Sequence, residues 1–81
     1  MKELRNCLIT AHPHFVRRWM GRKLELDKVK ETIRTGNIIY RRGNKFIIER
    51  YFGKENETYC VVCFVYGGIL EVKTSWKKEG R

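Results

Sequence analysis

The hydrophobic period of this chain changes once, at Gly36, and that change limits the folds open to it. Before Gly36 the apolar residues recur three and four apart, as on one side of a helix. After it, β-branched and aromatic residues run in extended stretches separated by Gly- and Asn-containing turns. The pattern predicts strands over Asn37–Arg41, Lys45–Phe52, Thr58–Tyr66 and Ile69–Trp76, joined by turns at Arg42-Gly43-Asn44, Gly53–Glu57 and Gly67-Gly68. The third, richest in Val, Tyr and Phe, is expected at the centre, and Lys77–Arg81 as a frayed tail.

Leu4–Ile9 fits a first strand or the lead-in to a helix, and periodicity does not choose between them. Pro13 suits the first turn of a helix reaching about Arg22, with Phe15, Val16, Trp19 and Met20 as its packed stripe. A second helix is expected over Leu26–Thr35, with Leu26, Val29 and Ile33 inward and Gly36 as a left-handed stop. The expected architecture is α+β: two N-terminal helices packed on one face of a four-stranded twisted antiparallel sheet, with the other face free. With 81 residues and no linker-like stretch, residues 1–81 read as a single domain.

Charge is unevenly placed. The formal net charge is +9; residues 1–50 hold thirteen Lys/Arg against five Asp/Glu, and residues 51–81 five against four. A regional basic excess attracts phosphate backbones, an acidic protein or an anionic membrane. No run of eighteen apolar residues and no signal-peptide core is present, so a membrane span is not expected. Three cysteines, an odd number, argue for free thiols in a reducing compartment and hence a cytoplasmic protein.

His14, Arg18 and Arg22 are spaced by four, which on a helix lines them up with about 40° of drift per step. Two guanidiniums can grip a phosphate while a neutral imidazole moves a proton to or from a ribose hydroxyl. The competing reading makes His14 a surface residue and the arginines solubilising charges. On the sheet, Arg41, Arg42, Lys45, Arg50 and Lys73 are candidate phosphate contacts, with Arg17 on the helix, and Tyr40, Tyr51 or Trp76 could stack on bases. Alternation along Lys45–Phe52 leaves Arg50 equally placed as a paired, structural residue of the apolar face.

Cys60-x-x-Cys63, with Cys7, His12 and His14, offers zinc-type ligands. Residues three apart in a strand point to opposite faces, however, so the cysteines read as core, and neither a metal nor another cofactor is expected.

The run His14-Phe15-Val16-Arg17-Arg18-Trp19-Met20-Gly21-Arg22-Lys23-Leu24, followed by Val29, Ile33 and Gly36, resembles an uncharacterised bacterial and archaeal domain family allied to RelE-type toxins. Tyr59-Cys60-Val61-Val62 and Val72-Lys73-Thr74-Ser75-Trp76 are similar to that family's sheet segments, so the likeness covers about residues 9–76. It implies the barnase, colicin and RelE-like ribonuclease fold group. It also implies a toxin-like, RNA-binding, metal-independent endoribonuclease of a toxin–antitoxin type system, with His14, Arg18 and Arg22 as catalytic residues. RNA, including a ribosomal surface, and an acidic antitoxin-like protein are the implied partners. The alternative is a noncatalytic module of the same fold that binds nucleic acid or a protein.

Overall fold

Phe46, Ile48 and Phe52 alternate along one strand, and each is buried, so one side of that strand forms a core. The computed structural model describes residues 7–11 and 26–81, with Leu26 described by its backbone alone. Its elements are β1 (Leu8–Ala11), α1 (Leu26–Thr35), β2 (Asn37–Arg42), β3 (Lys45–Phe52), β4 (Glu57–Tyr66) and β5 (Ile69–Glu79). The strands form one sheet in the order β1-β5-β4-β3-β2, with β4 at its centre. From β2 to β5 every pairing is antiparallel, whereas β1 lies parallel to β5 with Leu8 opposite Ile69.

This corrects the expected fold. The described chain is mostly β, a five-stranded mixed sheet with one described helix, and not two helices on a four-stranded antiparallel sheet. The extra strand comes from the segment whose periodicity was ambiguous. Its Leu8 N–H donates to the Gly68 carbonyl at 2.8 Å, and its backbone groups complete the edge of β5. The first expected helix, about Pro13–Arg22, lies outside the described residues.

The helix α1 has the bounds its pattern predicts. Asp27 in its first turn and Arg34 in its last oppose the helix dipole. Val29, Thr32 and Ile33 form its buried stripe, packed against β3 and β4. The core joins Val29 and Ile33 to Phe46, Ile48 and Phe52 of β3, Tyr59, Val61 and Cys63 of β4, and Leu70 and Val72 of β5. Each fully buried aliphatic side chain here contributes roughly 1.5–3 kcal/mol of transfer free energy.

Gly36 ends the helix for a different reason than expected. Its φ is not positive; the left-handed glycines are Gly43, Gly67 and Gly80. A Cβ at Gly36 would lie 2.5 Å from the Thr32 carbonyl oxygen and 2.6 Å from that of Glu49. Glycine is needed there because helix end and strand β3 meet backbone to backbone. Gly43 (φ 57°) and Gly67 (φ 58°) each open a two-residue hairpin, the positive φ at the first loop position matching a type II′ turn.

The expected frayed tail is instead strand. β5 continues to Glu79, Lys77 pairs with Glu57 at 2.9 Å, and the Gly80 N–H donates to the Asn56 carbonyl at 2.7 Å. Thr58 Oγ1 also donates to the Gly80 carbonyl at 2.6 Å. No described helix is long and apolar enough to cross a membrane.

Candidate nucleic-acid interface

Two β-bulges decide what the sheet shows on the side away from α1. In β2, Ile38 pairs with Ile48 and Tyr40 with Ile47, leaving Ile39 as an extra residue. In β5, Val72 pairs with Cys63 and Thr74 with Val62, leaving Lys73 extra. A bulge reverses the alternation beyond it. Ile38 and Val72 therefore face α1 and the core, while Tyr40, Arg42, Thr74, Trp76 and Lys78 turn to the opposite face.

By register, that face carries Tyr40 and Arg42 from β2, Lys45, Ile47, Glu49 and Tyr51 from β3, and Cys60, Val62, Phe64 and Tyr66 from β4. No described element lies across it. Tyr40, Tyr66 and Trp76 are 41%, 53% and 38% exposed, large values for aromatic rings on a sheet. Cations sit among the rings. Lys45 Nζ lies 5.8 Å from the Tyr40 ring centre, Lys73 Nζ 5.4 Å from that of Phe64, and the Arg81 guanidinium 4.3 Å from that of Tyr51. Phe64 and Tyr66 lie side by side with centroids 6.2 Å apart.

On the α1 side three described cations are held in ion pairs, Lys28 with Glu55 and Glu57, Lys77 with Glu57, and Arg50 with Glu31, whereas Lys30, Arg41 and Lys54 are in none of the described pairs. The Lys77 ammonium holds the Glu57 carboxyl below its ordinary range, chiefly through their hydrogen bond, and the same bond raises Lys77. On the open face Lys73 pairs with Glu71 at 2.9 Å, but none of the described ion pairs uses Arg42, Lys45 or Lys78. Those three remain available to an anionic ligand.

The candidate residues thus separate. Arg42 and Lys45 face each other across the first hairpin on the open face, and Lys73 joins them from its bulge. Arg41 points to the α1 side, its guanidinium 5.0 Å from the Phe46 ring centre. Arg50 also lies on the α1 side, bonded to Glu31 at 3.0 Å and to Thr35 Oγ1 and stacked over Phe52 at 5.0 Å, so its structural alternative is the one observed. Arg41 and Arg50 therefore extend from the opposite side of the sheet to Arg42, Lys45 and Lys73. His14, Arg17, Arg18 and Arg22 lie outside the described residues. Lys78, Arg81, Phe64 and Tyr66 were not singled out from the sequence. Lys78 has the parity of Trp76, a signal hidden by ending the strand too early.

Cys60 lies on the open face and Cys63 on the core side of the same strand. Burial pushes the Cys63 thiol up to about 12 and raises Cys60 as well, with Glu49 adding to the latter. Burial thus favours the neutral thiol at both positions, with Cys63 packed in the core. Among the described residues no three His, Cys, Asp or Glu side chains converge as a metal site.

No protein family, curated protein or solved structure gives a match to this chain.

Proposed function

We propose that this protein is a cytoplasmic RNA-binding protein that holds single-stranded RNA across the open face of its sheet. The observation that carries the reading is the interleaving of Tyr40, Phe64, Tyr66 and Trp76 with Arg42, Lys45 and Lys78 on one face. Exposed rings stack on unpaired bases whatever their sequence, and lysine and arginine take the phosphates between them. Bases within a duplex are already stacked on one another, so a ring platform favours single strands. Three free cysteines and the net charge of +9 support the cytoplasmic, polyanion-binding setting.

A second reading rests on the spacing of His14, Arg18 and Arg22 and on the resemblance to RelE-allied chains. There the bound RNA is also cut: His14 takes the proton of a ribose 2′-hydroxyl, the oxygen attacks the adjacent phosphorus, the P–O5′ bond breaks with the 5′-oxygen leaving as a hydroxyl that takes its proton from water, and the arginines stabilise the charge that develops. The products would end in 2′,3′-cyclic phosphate.

One experiment addresses both. Labelled single-stranded and duplex RNA are incubated with the protein, with and without a chelator, and binding and product ends are read. The platform requires single-strand preference and an affinity that falls with salt by about 0.7 log units per log unit for each phosphate contact. Salt-independent binding, or equal binding of duplex, rejects it. Chelator-resistant cyclic-phosphate products that disappear in His14→Ala support the second reading, and intact RNA rejects it.

A further inference from the structure

An anionic residue in the middle of a phosphate-binding face weakens binding unless it has another task. Glu49 is such a residue. It lies on the open face, half-buried, and none of the described ion pairs uses it. The Cys60 thiol donates to its Oε2 at 4.0 Å, a weak contact that leaves most of the carboxylate's acceptor capacity unspent.

Its surroundings are those of a base site. Glu49, Cys60 and Trp76 form one row across β3, β4 and β5, and Tyr51, Thr58 and Lys78 form the next. Glu49 is also one wall of a cleft of about 420 Å³ lined by Tyr51, Thr58, Lys78 and Arg81 and, towards the end of α1, by Thr35, Asn37 and Arg50. That volume falls within the usual range of small-molecule sites. Beside Glu49 in the sheet is the Cys60 thiol, whose pKa burial raises, so it adds no competing charge. Lys78 and Arg81 can take the phosphates on either side, and the Tyr51 ring in the cleft offers a stacking surface, with Trp76 beyond Cys60 in the row of Glu49.

We infer that Glu49 reads a base in this cleft and that the base is guanine. The inference rests on the RNA-platform reading above. A carboxylate presents two acceptors side by side and no donor. Guanine alone among the four RNA bases has two N–H donors, N1–H and the 2-amino group, adjacent on its Watson–Crick edge. Adenine and cytosine place an acceptor nitrogen beside their single amino group, and uracil flanks its one N–H with carbonyls. Those acceptors meet the second carboxylate oxygen unfavourably.

The test measures the affinity of labelled hexauridine, and of the same oligomer with one internal guanosine, inosine or adenosine, by fluorescence anisotropy. Inosine keeps N1–H and lacks the 2-amino group. The guanosine oligomer should bind at least about fivefold more tightly than the adenosine one, since a good bidentate pair gives roughly 1–3 kcal/mol of discrimination, and inosine should fall between. Glu49→Gln should lose the guanosine preference while binding hexauridine as well as the wild type or better. Equal binding of all four by the wild type overturns the inference and leaves the platform standing. A guanosine preference unchanged in folded Glu49→Gln also overturns it, and should that variant not fold, the wild-type base series decides alone. Failure to bind any oligomer overturns both readings.

Discussion

The Arg50 guanidinium donates to the Glu31 carboxylate at 3.0 Å, tying β3 to the helix that crosses it. Both side chains are partly solvated, 33% and 51% exposed, so the pair contributes no more than about 1 kcal/mol. Arg50→Ala should lower stability by about 1 kcal/mol in urea denaturation, the lost stacking on Phe52 included. Its affinity for hexauridine, which the platform rings and Arg42, Lys45 and Lys78 hold, should match the wild type. A large loss of RNA binding with stability intact would place Arg50 at the interface after all.

Substitutions on the open face should behave in the opposite way. Trp76→Ala and Tyr40→Ala should each weaken single-strand binding by roughly 1–3 kcal/mol, the stacking worth of one base. Lys45→Ala and Lys78→Ala should each lower the salt slope by about 0.7. Arg41→Ala, on the α1 side, is the matched control and should leave the slope unchanged. Anisotropy titrations over a salt series measure all five.

Gly36 makes a steric claim. A Cβ there would meet the backbone oxygens of Thr32 and Glu49, neither of which can swing aside like a side-chain tip. Gly36→Ala should therefore cost about 1–3 kcal/mol or more. Gly43→Ala meets nothing within 4 Å and should lose only the penalty of its positive φ, roughly 1–2 kcal/mol. Chemical denaturation compares the two, and a Gly36→Ala protein as stable as the wild type would contradict the helix–strand contact.

The Lys77–Glu57 pair predicts an acid limb. Glu57 titrates below its ordinary value of 4.5 when folded, so its contribution is present above that value and is lost as pH falls through the lower, folded one. Glu57→Gln should flatten the decline in stability below about pH 4.5. Lys77 is raised above 10.5, so the same pair supports the fold below that pH and stops doing so as pH rises through its folded value. The Cys63 thiol adds to the alkaline limb. It ionises near 9.0 in the unfolded chain but near 12 in the folded one, so stability falls as pH rises between them. Thermal melts across the pH range check both limbs, and an acid limb identical in Glu57→Gln and wild type would contradict this pairing.

Local chemistry made much of the fold readable. Val29 and Ile33 are four apart on a helix, Phe46, Ile48 and Phe52 alternate, and Gly43 and Gly67 mark hairpins, all within a few residues of their partners in sequence. What escaped depends on distant parts of the chain. β1 is four residues long and becomes a strand because β5, some sixty residues later, offers it a parallel edge. Lys77, Lys78 and Glu79 look like a solvated tail until Glu57 and Asn56 hold them. The site was only half legible for a related reason. Tyr40, Trp76 and Lys45 could be named as residue types, but simple alternation puts Tyr40 on the side of Ile38, and Trp76 on that of Val72. The bulges at Ile39 and Lys73, which no local pattern announces, separate them. Arg50 had two readings of equal standing because parity placed it in the apolar face without revealing Glu31 as its partner.

RNA bound on the sheet face opposite α1 would be located by a two-dimensional amide and side-chain NMR titration with an unlabelled single-stranded hexanucleotide. Shifts are expected at Tyr40, Lys45, Phe64 and Tyr66, at Lys78 and at the Trp76 indole N–H, with Lys30, Glu31 and Arg34 of α1 unmoved. Shifts confined to α1, or an unchanged Trp76 indole at saturating RNA, would contradict that placement.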